Sequence, residues 1–325
     1  MSNPLYPLTF RPIFKERLWG GRNLHKLYGK TLPPEVAIGE SWEICDRPGD
    51  ESVIANGILR GRGLGEVMRE NPAALLGHGK AAPGRFPLLV KIIDAHENLS
   101  FQVHPPAAIS ETLGGEPKTE MWYVAQAGPG AELFVGLKKG VSRAEFERKL
   151  ASESVAECFH RIAVRKGDAM WLPSGRVHAL GAGTMIFEIQ QNSDTTYRVF
   201  DWNRVDGQGR RRALHVAQSL SSIDFADFEP PLLPSRFEPG HPGRLRPLVQ
   251  SELFDVSLRQ LSRGEELELS GGRMEIIGVV EGTAQVAAPE GNVELSAGQF
   301  CLVPASCEEV SVRAGNSVTF LEVTR

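Results

Sequence analysis

The stretch "KGDAMWLPSGRVH", Lys166–His178, decides how this chain is read. Gly167 supplies a turn, "DAMWLP" is an apolar run of strand length, and Pro173-x-Gly175 makes a second turn that ends on His178. A second stretch, "AGQFCLVPASCEE" (297–309), repeats the frame: Gly298, five residues, Pro304, with Glu309 at the place of His178. Upstream, "TEMWYVAQAG" (119–128) lies against "MEIIGVVEGT" (274–283), with Glu120 opposite Glu275. The first copy is longer, by about what a helix near 142–158 would add. One β-unit used twice, embellished in its first copy, accounts for both.

Outside the repeat the chain keeps the same character. "GESWEICDRP" (39–48), "FPLLVKIIDA" (86–95), "AELFVGL" (131–137), "TMIFEIQQ" (184–191), "FDVSLRQL" (254–261) and "SVTFLEVT" (317–324) are short runs bounded by Gly, Pro and Asp. They point to a mainly β protein, an antiparallel sandwich or barrel with a few short helices. "GLGEVMRENPAALLG" (63–77) has helical spacing that Pro72 limits or kinks. In "SRAEFERKLASESVAECFHRI" (142–162), Ser142 offers an N-cap, Glu145 follows three residues on, and Phe146 and Leu150 share a face. The proline-rich "FEPPLLPSRFEPGHPGRLRP" (228–247) excludes a helix or central strand and is read as a linker. Two regions follow: 1–240, with the helical insertions, and 241–325, a second β-barrel-like unit.

The 325 residues carry a formal net charge of -4, with acids and bases interspersed. Nucleic-acid binding, which needs a basic face, is not expected. "GRRRAL" (209–214) is read as a solvated turn. No run reaches the roughly 18 apolar residues of a membrane span, and the N-terminus has no secretory-signal pattern. The four cysteines show no metal or redox spacing. A reduced cytoplasm is the expected location.

The chemistry gathers on four residues. In a strand, residues two apart share a face, so "LSFQVHP" (99–105) sends Gln102 and His104 to one side and Phe101 and Val103 to the other. Glu120 opens another strand and His178 ends the Pro-x-Gly turn. At the mouth of a jelly-roll barrel such strand ends can meet. Two imidazoles, a carboxylate and an amide oxygen suit a divalent metal with a position left open. The remaining histidines (His25, His78, His96, His160, His215 and His241) show no ligand spacing.

Gly167–His178 resembles the second metal motif of the cupins. With "LWGG" (18–21), "GESWEI" (39–44), "QVHP", "KTEMWYV", "LPSGRVHALGAG" and "FEIQQNSDTTYRVFDWNR", nearly the whole chain resembles a type I phosphomannose isomerase in its compact bacterial form. The resemblance implies a double-stranded β-helix (a cupin-like jelly roll) in two β-units; the second, with neither a Gln-x-His nor the late His, is read as metal-free. It implies one Zn2+ per chain on Gln102, His104, Glu120 and His178, although N/O donor sets also accept other divalent metals. It implies a sugar-phosphate pocket with Lys118, Asp194 and Arg198, and interconversion of mannose 6-phosphate and fructose 6-phosphate through an enediol. Arg198, permanently charged, suits the anionic intermediate or the phosphate. Lys118 is a base if a cation or burial depresses its pKa, and otherwise a cation for the phosphate or for Glu120. Asp194 is a second titratable candidate or a turn cap. Ser100 fits a phosphate-contacting hydroxyl, and Trp19 a wall of the sugar pocket. Asp201 and Arg204 of "DWNR" are expected to pair near it, and Glu188 faces the way of Ile186 and Gln190.

Two other readings share the metal site: a cupin that binds or senses a sugar without turning it over, and a cupin isomerase for another phosphosugar. A pure binder has no need of Lys118 and Arg198, and both are present.

Overall fold

The computed structural model describes residues 4–77, 84–205, 208–239 and 242–325. His78, His241 and the boundary drawn between 240 and 241 lie outside these residues. The chain folds into four main antiparallel sheets. The first has the order Ile13–Gly21, Ile38–Ile44, Leu88–Ala95, Thr184–Gln191, Glu120–Ala127, Ala169–Leu172. It faces a five-stranded sheet ordered Tyr197–Phe200, Phe101–Val103, His178–Leu180, Glu132–Leu137, Phe159–Ala163. In the C-terminal third, Glu238–Pro239, Arg244–Val249, Asp255–Leu261, Val318–Thr324, Glu275–Glu281 and Phe300–Val303 form another six-stranded sheet. Its partner has the order Glu266–Glu268, Ser311–Ala314, Thr283–Ala288, Gly291–Ser296.

The repeat is present in the pairing. Numbering eight strands of each region along the chain, both build one sheet from the first, eighth, third and sixth, and the other from the second, seventh, fourth and fifth. Glu120 pairs with Leu172 and Gln190, and Glu275 pairs with Val303 and Thr324, so the two glutamates occupy one place in the two copies. The alignment fails at Glu309, which is exposed in a longer loop. The added helix lies where expected but is shorter. Arg143–Ala151 starts with the Ser142 hydroxyl accepting from the Glu145 N–H, and Glu153 at φ 57 separates it from a 3-10 turn at Val155–Cys158. Pro72 splits the other pattern into helices Leu64–Glu70 and Pro72–Leu76.

The long strands are apolar on both faces because both faces are covered. Val124, Ile186, Leu133 and Val135 fill the first barrel, and Ile277, Val279, Val286 and Phe320 fill the second. The outer faces of the two six-stranded sheets then pack back to back, with Val90, Tyr123, Phe187 and Ile189 against Val256, Ile276, Phe300 and Leu321 in one continuous core. This clamp is why 228–247 is more than a linker. Arg244–Val249 is a strand, with Pro247 at a register shift and beyond the reach of the two-residue edge strand Glu238–Pro239. A residue without an N–H is tolerated in both circumstances. The Arg246 guanidinium, buried at the same seam, donates to the carbonyls of Pro234 and Gly167.

Candidate metal centre and pocket

The first barrel opens where the strands bearing Gln102, Glu120 and His178 end. Gln102 is in register with His178 across two neighbouring strands, with its amide 3.3 Å from His178 Nε2. Phe101 and Val103 point the other way, into a core that also takes Phe146 from the added helix and Phe159 from the strand that follows it. His104 follows the strand, buried, with Nδ1 donating to the Thr195 carbonyl at 2.8 Å. His178 Nδ1 donates in the same way to the Arg176 carbonyl at 2.9 Å. Each bond fixes the tautomer that leaves the Nε2 lone pair pointing inward. Those two Nε2 atoms stand 3.5 and 3.3 Å from the oxygens of Glu120.

Ligand atoms of His104, Glu120 and His178 all lie within 4.8 Å of one another. His104 Nε2 and Glu120 Oε1 are buried without a hydrogen-bond partner, while Glu120 Oε2 faces the Lys118 ammonium at 2.8 Å. Such atoms are costly unless something completes them. Burial, then Lys118, pushes the His104 pKa down to about 4, and burial also lowers that of His178, so both rings are neutral and able to ligate at pH 7. Burial alone would raise the Glu120 carboxyl, but Lys118 and the imidazoles hold it well below the usual range. Two neutral imidazoles and an ionised carboxylate fit a divalent cation. The Gln102 amide, turned about its terminal bond, would bring its oxygen to the same point.

Beside this cluster lies a cavity of about 350 Å³. Trp19, Ser100, Gln102, Lys118, Asp194 and Arg198 all line it, which brings the sequence candidates together. Lys118, buried, has its ammonium 2.8 Å from Glu120 and 4.0 Å from Glu188. Burial opposes its charge, but Glu120 and Glu188 outweigh burial and raise its pKa. In this arrangement Lys118 is held as a cation by its two carboxylate neighbours. Arg198 donates from Nη1 to the Ala213 carbonyl, and its Nε has no hydrogen-bond partner. Burial and then Arg212 depress its pKa from the usual arginine value. The His215 ring, read as ordinary, accepts from the Arg198 backbone N–H and so anchors that residue.

Four further lining residues, Arg17, Glu40, Lys91 and Arg212, were not singled out by the sequence reading. Lys91 had a visible signal: a lone lysine in the apolar run "FPLLVKIIDA", where an unpaired charge is not expected. It lies 3.2 Å from Glu188 and 3.7 Å from Glu40. Glu188 also accepts from the Trp122 indole at 2.8 Å. Arg212 corrects the solvated-turn reading of "GRRRAL". It faces the pocket with Nε and Nη2 on Asp201, which also takes Arg204 at 2.6 Å. The glycine turn after Thr112 packs on Thr195 and Tyr197, and the Glu116 N–H donates to the Thr195 hydroxyl at 3.0 Å.

The chain is similar to known proteins in sequence and in fold. A family model for the catalytic domain of phosphomannose isomerase type I matches residues 8–137. The probable mannose-6-phosphate isomerase GmuF of Bacillus subtilis is 34% identical over 311 residues, covering 94% of this chain and 96% of that protein. The chain belongs to the type I phosphomannose isomerases. Within that family, the mannose-6-phosphate isomerase of Streptococcus mutans is 42% identical over 218 residues, 67% of each chain. The crystal structure of the Bacillus subtilis mannose 6-phosphate isomerase superposes with a TM-score of 0.88 at 30% identity, covering 99% of this chain and all of that one.

Proposed function

We propose that the chain is a metal-dependent aldose–ketose isomerase that interconverts mannose 6-phosphate and fructose 6-phosphate. The observation that carries this reading is the meeting, in one pocket, of a buried His–Glu–His cluster with incomplete polar atoms and a wall of paired charges that includes Lys118 and Arg198. Gln102, His104, Glu120 and His178 would hold one Zn2+, a donor set with room for an exchangeable position. When bound, the ion supplies positive charge against the sugar oxygens while the proton moves between C1 and C2.

The remaining work falls to side chains. Arg198, with an unspent Nε, draws the phosphate or the developing anion. Lys118, held as a cation by Glu120 and Glu188, donates to a sugar oxygen. The C–H proton then goes to a carboxylate of the wall, Asp194 or Glu188. Glu40 is the weaker candidate, because Lys91 and Arg17 overcome burial and lower it to about 2. Ser100 and Trp19 hold the sugar. The site belongs to the 1–240 region, and 241–325 is a metal-free β-unit. Four free cysteines, all buried, suit a reduced cytoplasm.

Incubation of metal-loaded protein with mannose 6-phosphate in deuterated water is the test. Incorporation of deuterium with appearance of fructose 6-phosphate is expected. Sugar binding without exchange would leave the sensor reading in its place. Asp194→Asn and Glu188→Gln separate the two proton acceptors, since only one should abolish exchange.

A further inference from the structure

The wall that carries Trp19 is an excursion from the edge strand. Glu16 and Gly21 both pair with Ile38, so Arg17, Leu18, Trp19 and Gly20 are looped out of the ladder. The loop is seated on Gly39. A Cβ on Gly39 would lie 2.5 Å from the Trp19 ring and 2.7 Å from the Arg17 Cβ, and one on Gly20 would lie 2.4 Å from the Gly39 nitrogen. No larger residue fits at either place, so "LWGG" and "GES" make one interlocked device. Backbone bonds pin it further: Arg17 N–H to the Ala37 carbonyl at 3.2 Å, and Glu97 N–H to the Trp19 carbonyl at 3.1 Å. Bulges of this kind re-aim side chains next to active sites.

Here the bulge aims Arg17 and Trp19 at the pocket. Arg17 Nε donates to Glu40 at 2.6 Å, and the Trp42 indole holds the other Glu40 oxygen at 2.7 Å. Glu40 is buried, while about a third of the Arg17 side chain (32%) is exposed at the mouth. With its charge matched by Glu40, Arg17 is a poor anchor for a phosphate, unlike Arg198. A neutral pair that keeps spare N–H groups and spare carboxylate lone pairs instead suits neighbouring hydroxyls, each of which both donates and accepts. On the reading above, the metal cluster would take the reacting end of the sugar and Arg198, in its phosphate-drawing role, the anionic end. What stays unread is the run of hydroxyls between them.

Resting on the isomerase reading above, we propose that Arg17, positioned by Glu40 and the Gly20–Gly39 clasp, is a specificity-determining residue that reads the middle hydroxyls of the sugar chain. Arg17→Ala and Arg17→Lys are compared with the parent protein. The substrates are mannose 6-phosphate and its C3 epimer, altrose 6-phosphate. Binding of the non-reacting mannitol 6-phosphate and of inorganic phosphate is measured by calorimetry. For Arg17→Ala, kcat/KM on mannose 6-phosphate should fall about 10- to 100-fold. The epimer should change little, so discrimination collapses. Mannitol 6-phosphate should weaken by a similar factor and inorganic phosphate should not, and Arg17→Lys should recover part of each loss. An unchanged ratio between the two sugars would overturn the proposal, as would an equal loss of inorganic phosphate binding. If the parent protein isomerises neither sugar, the isomerase reading fails, and the calorimetric comparison still decides for or against Arg17.

Discussion

The two β-units put the same strand order to opposite uses, and one pair of residues shows it. Glu120 and Glu275 occupy matching positions, each buried, each facing the interior of its barrel, and each with a cation two residues earlier, Lys118 and Arg273. A second carboxylate also matches, Glu188 and Glu322, opposite Trp122 and Ile277. Around Glu120 stand two imidazoles and a lysine 2.8 Å away, and its carboxyl is held far down. On the corresponding strands of the second unit and just beside them stand Leu267, Leu269, Val310 and Val312. Arg273 is half-exposed and 3.6 Å off, and burial followed by Glu322 pushes Glu275 up to about 7. Position on the fold therefore does not make a site. The strands around the carboxylate decide whether it is a ligand or a buried acid.

The most damaging way to test that contrast is to make the first unit resemble the second. Replacing His178 with Val should leave the barrel folded, since apolar residues fill the matching interior face of the other unit. The variant should bind less than one metal per chain, with kcat/KM lower by on the order of 10³-fold or more. Metal analysis together with the isomerase assay checks this, and chelation of the parent protein should give the same loss, reversible on adding metal back. Retention of activity at that level without metal would remove the cluster from the mechanism.

A second substitution asks whether the units are separable at all. Phe187 belongs to the first unit and meets Phe300 of the second at 5.3 Å and Tyr28 at 5.8 Å, in the core shared by the two six-stranded sheets. Phe187→Ala should cost about 3–5 kcal/mol. Calorimetry should show one transition moving as a whole, because the cavity opens in a core that both units need. Two transitions, with only one displaced, would mean that the units fold independently.

The same contrast explains what the sequence could and could not disclose. Period-two spacing put Gln102 and His104 on one face, and turn chemistry put His178 at a strand start, so the proposed ligand set is local enough to read. The repeat was legible because Gly and Pro mark the ends of matching strands. Lys91, Glu40, Arg17 and Arg212 escaped because their meaning is in cross-strand register. Lys91 is explained only by pairing opposite Glu188, and Arg212 only by an Asp201 brought back beside it. Pro247 misled for a similar reason, since a proline argues against a strand until its neighbour is known to stop short.

Glu275 itself carries a pH dependence that Glu120 does not share. A carboxyl whose pKa is about 7 folded, against roughly 4.3 unfolded, stabilises the fold while protonated. That contribution is complete below the unfolded value and is lost as pH rises through 7. The loss is roughly 3 kcal/mol by pH 8. Glu275→Gln cannot ionise. The gap in denaturant-measured stability between variant and parent should therefore widen in the variant's favour by about that amount from pH 4 to pH 8. A gap that stays constant would show that the neighbours of Glu275 offset its burial in full, without going on to depress the carboxyl as those of Glu120 do.

The smallest effect belongs to the part of the first unit that has no counterpart. Between its fourth and fifth strands the second unit turns directly from Ala288 to Gly291, whereas the first inserts the helix Arg143–Ala151 and its 3-10 turn. Phe146 of that helix meets Phe159 at 5.9 Å and Phe225 at 5.5 Å, so the insertion covers the outer face of the five-stranded sheet, away from the pocket. Ser142→Ala removes the side-chain acceptor for the Glu145 N–H and should cost about 1 kcal/mol of stability. KM and metal content should stay as they were, because the cap touches neither the metal cluster nor the pocket wall. A change in KM would mean that the helix steadies the strand carrying Gln102 through Phe159, which stacks on Phe101 at 3.8 Å. The insertion would then be part of what distinguishes a metal-binding barrel from a plain one.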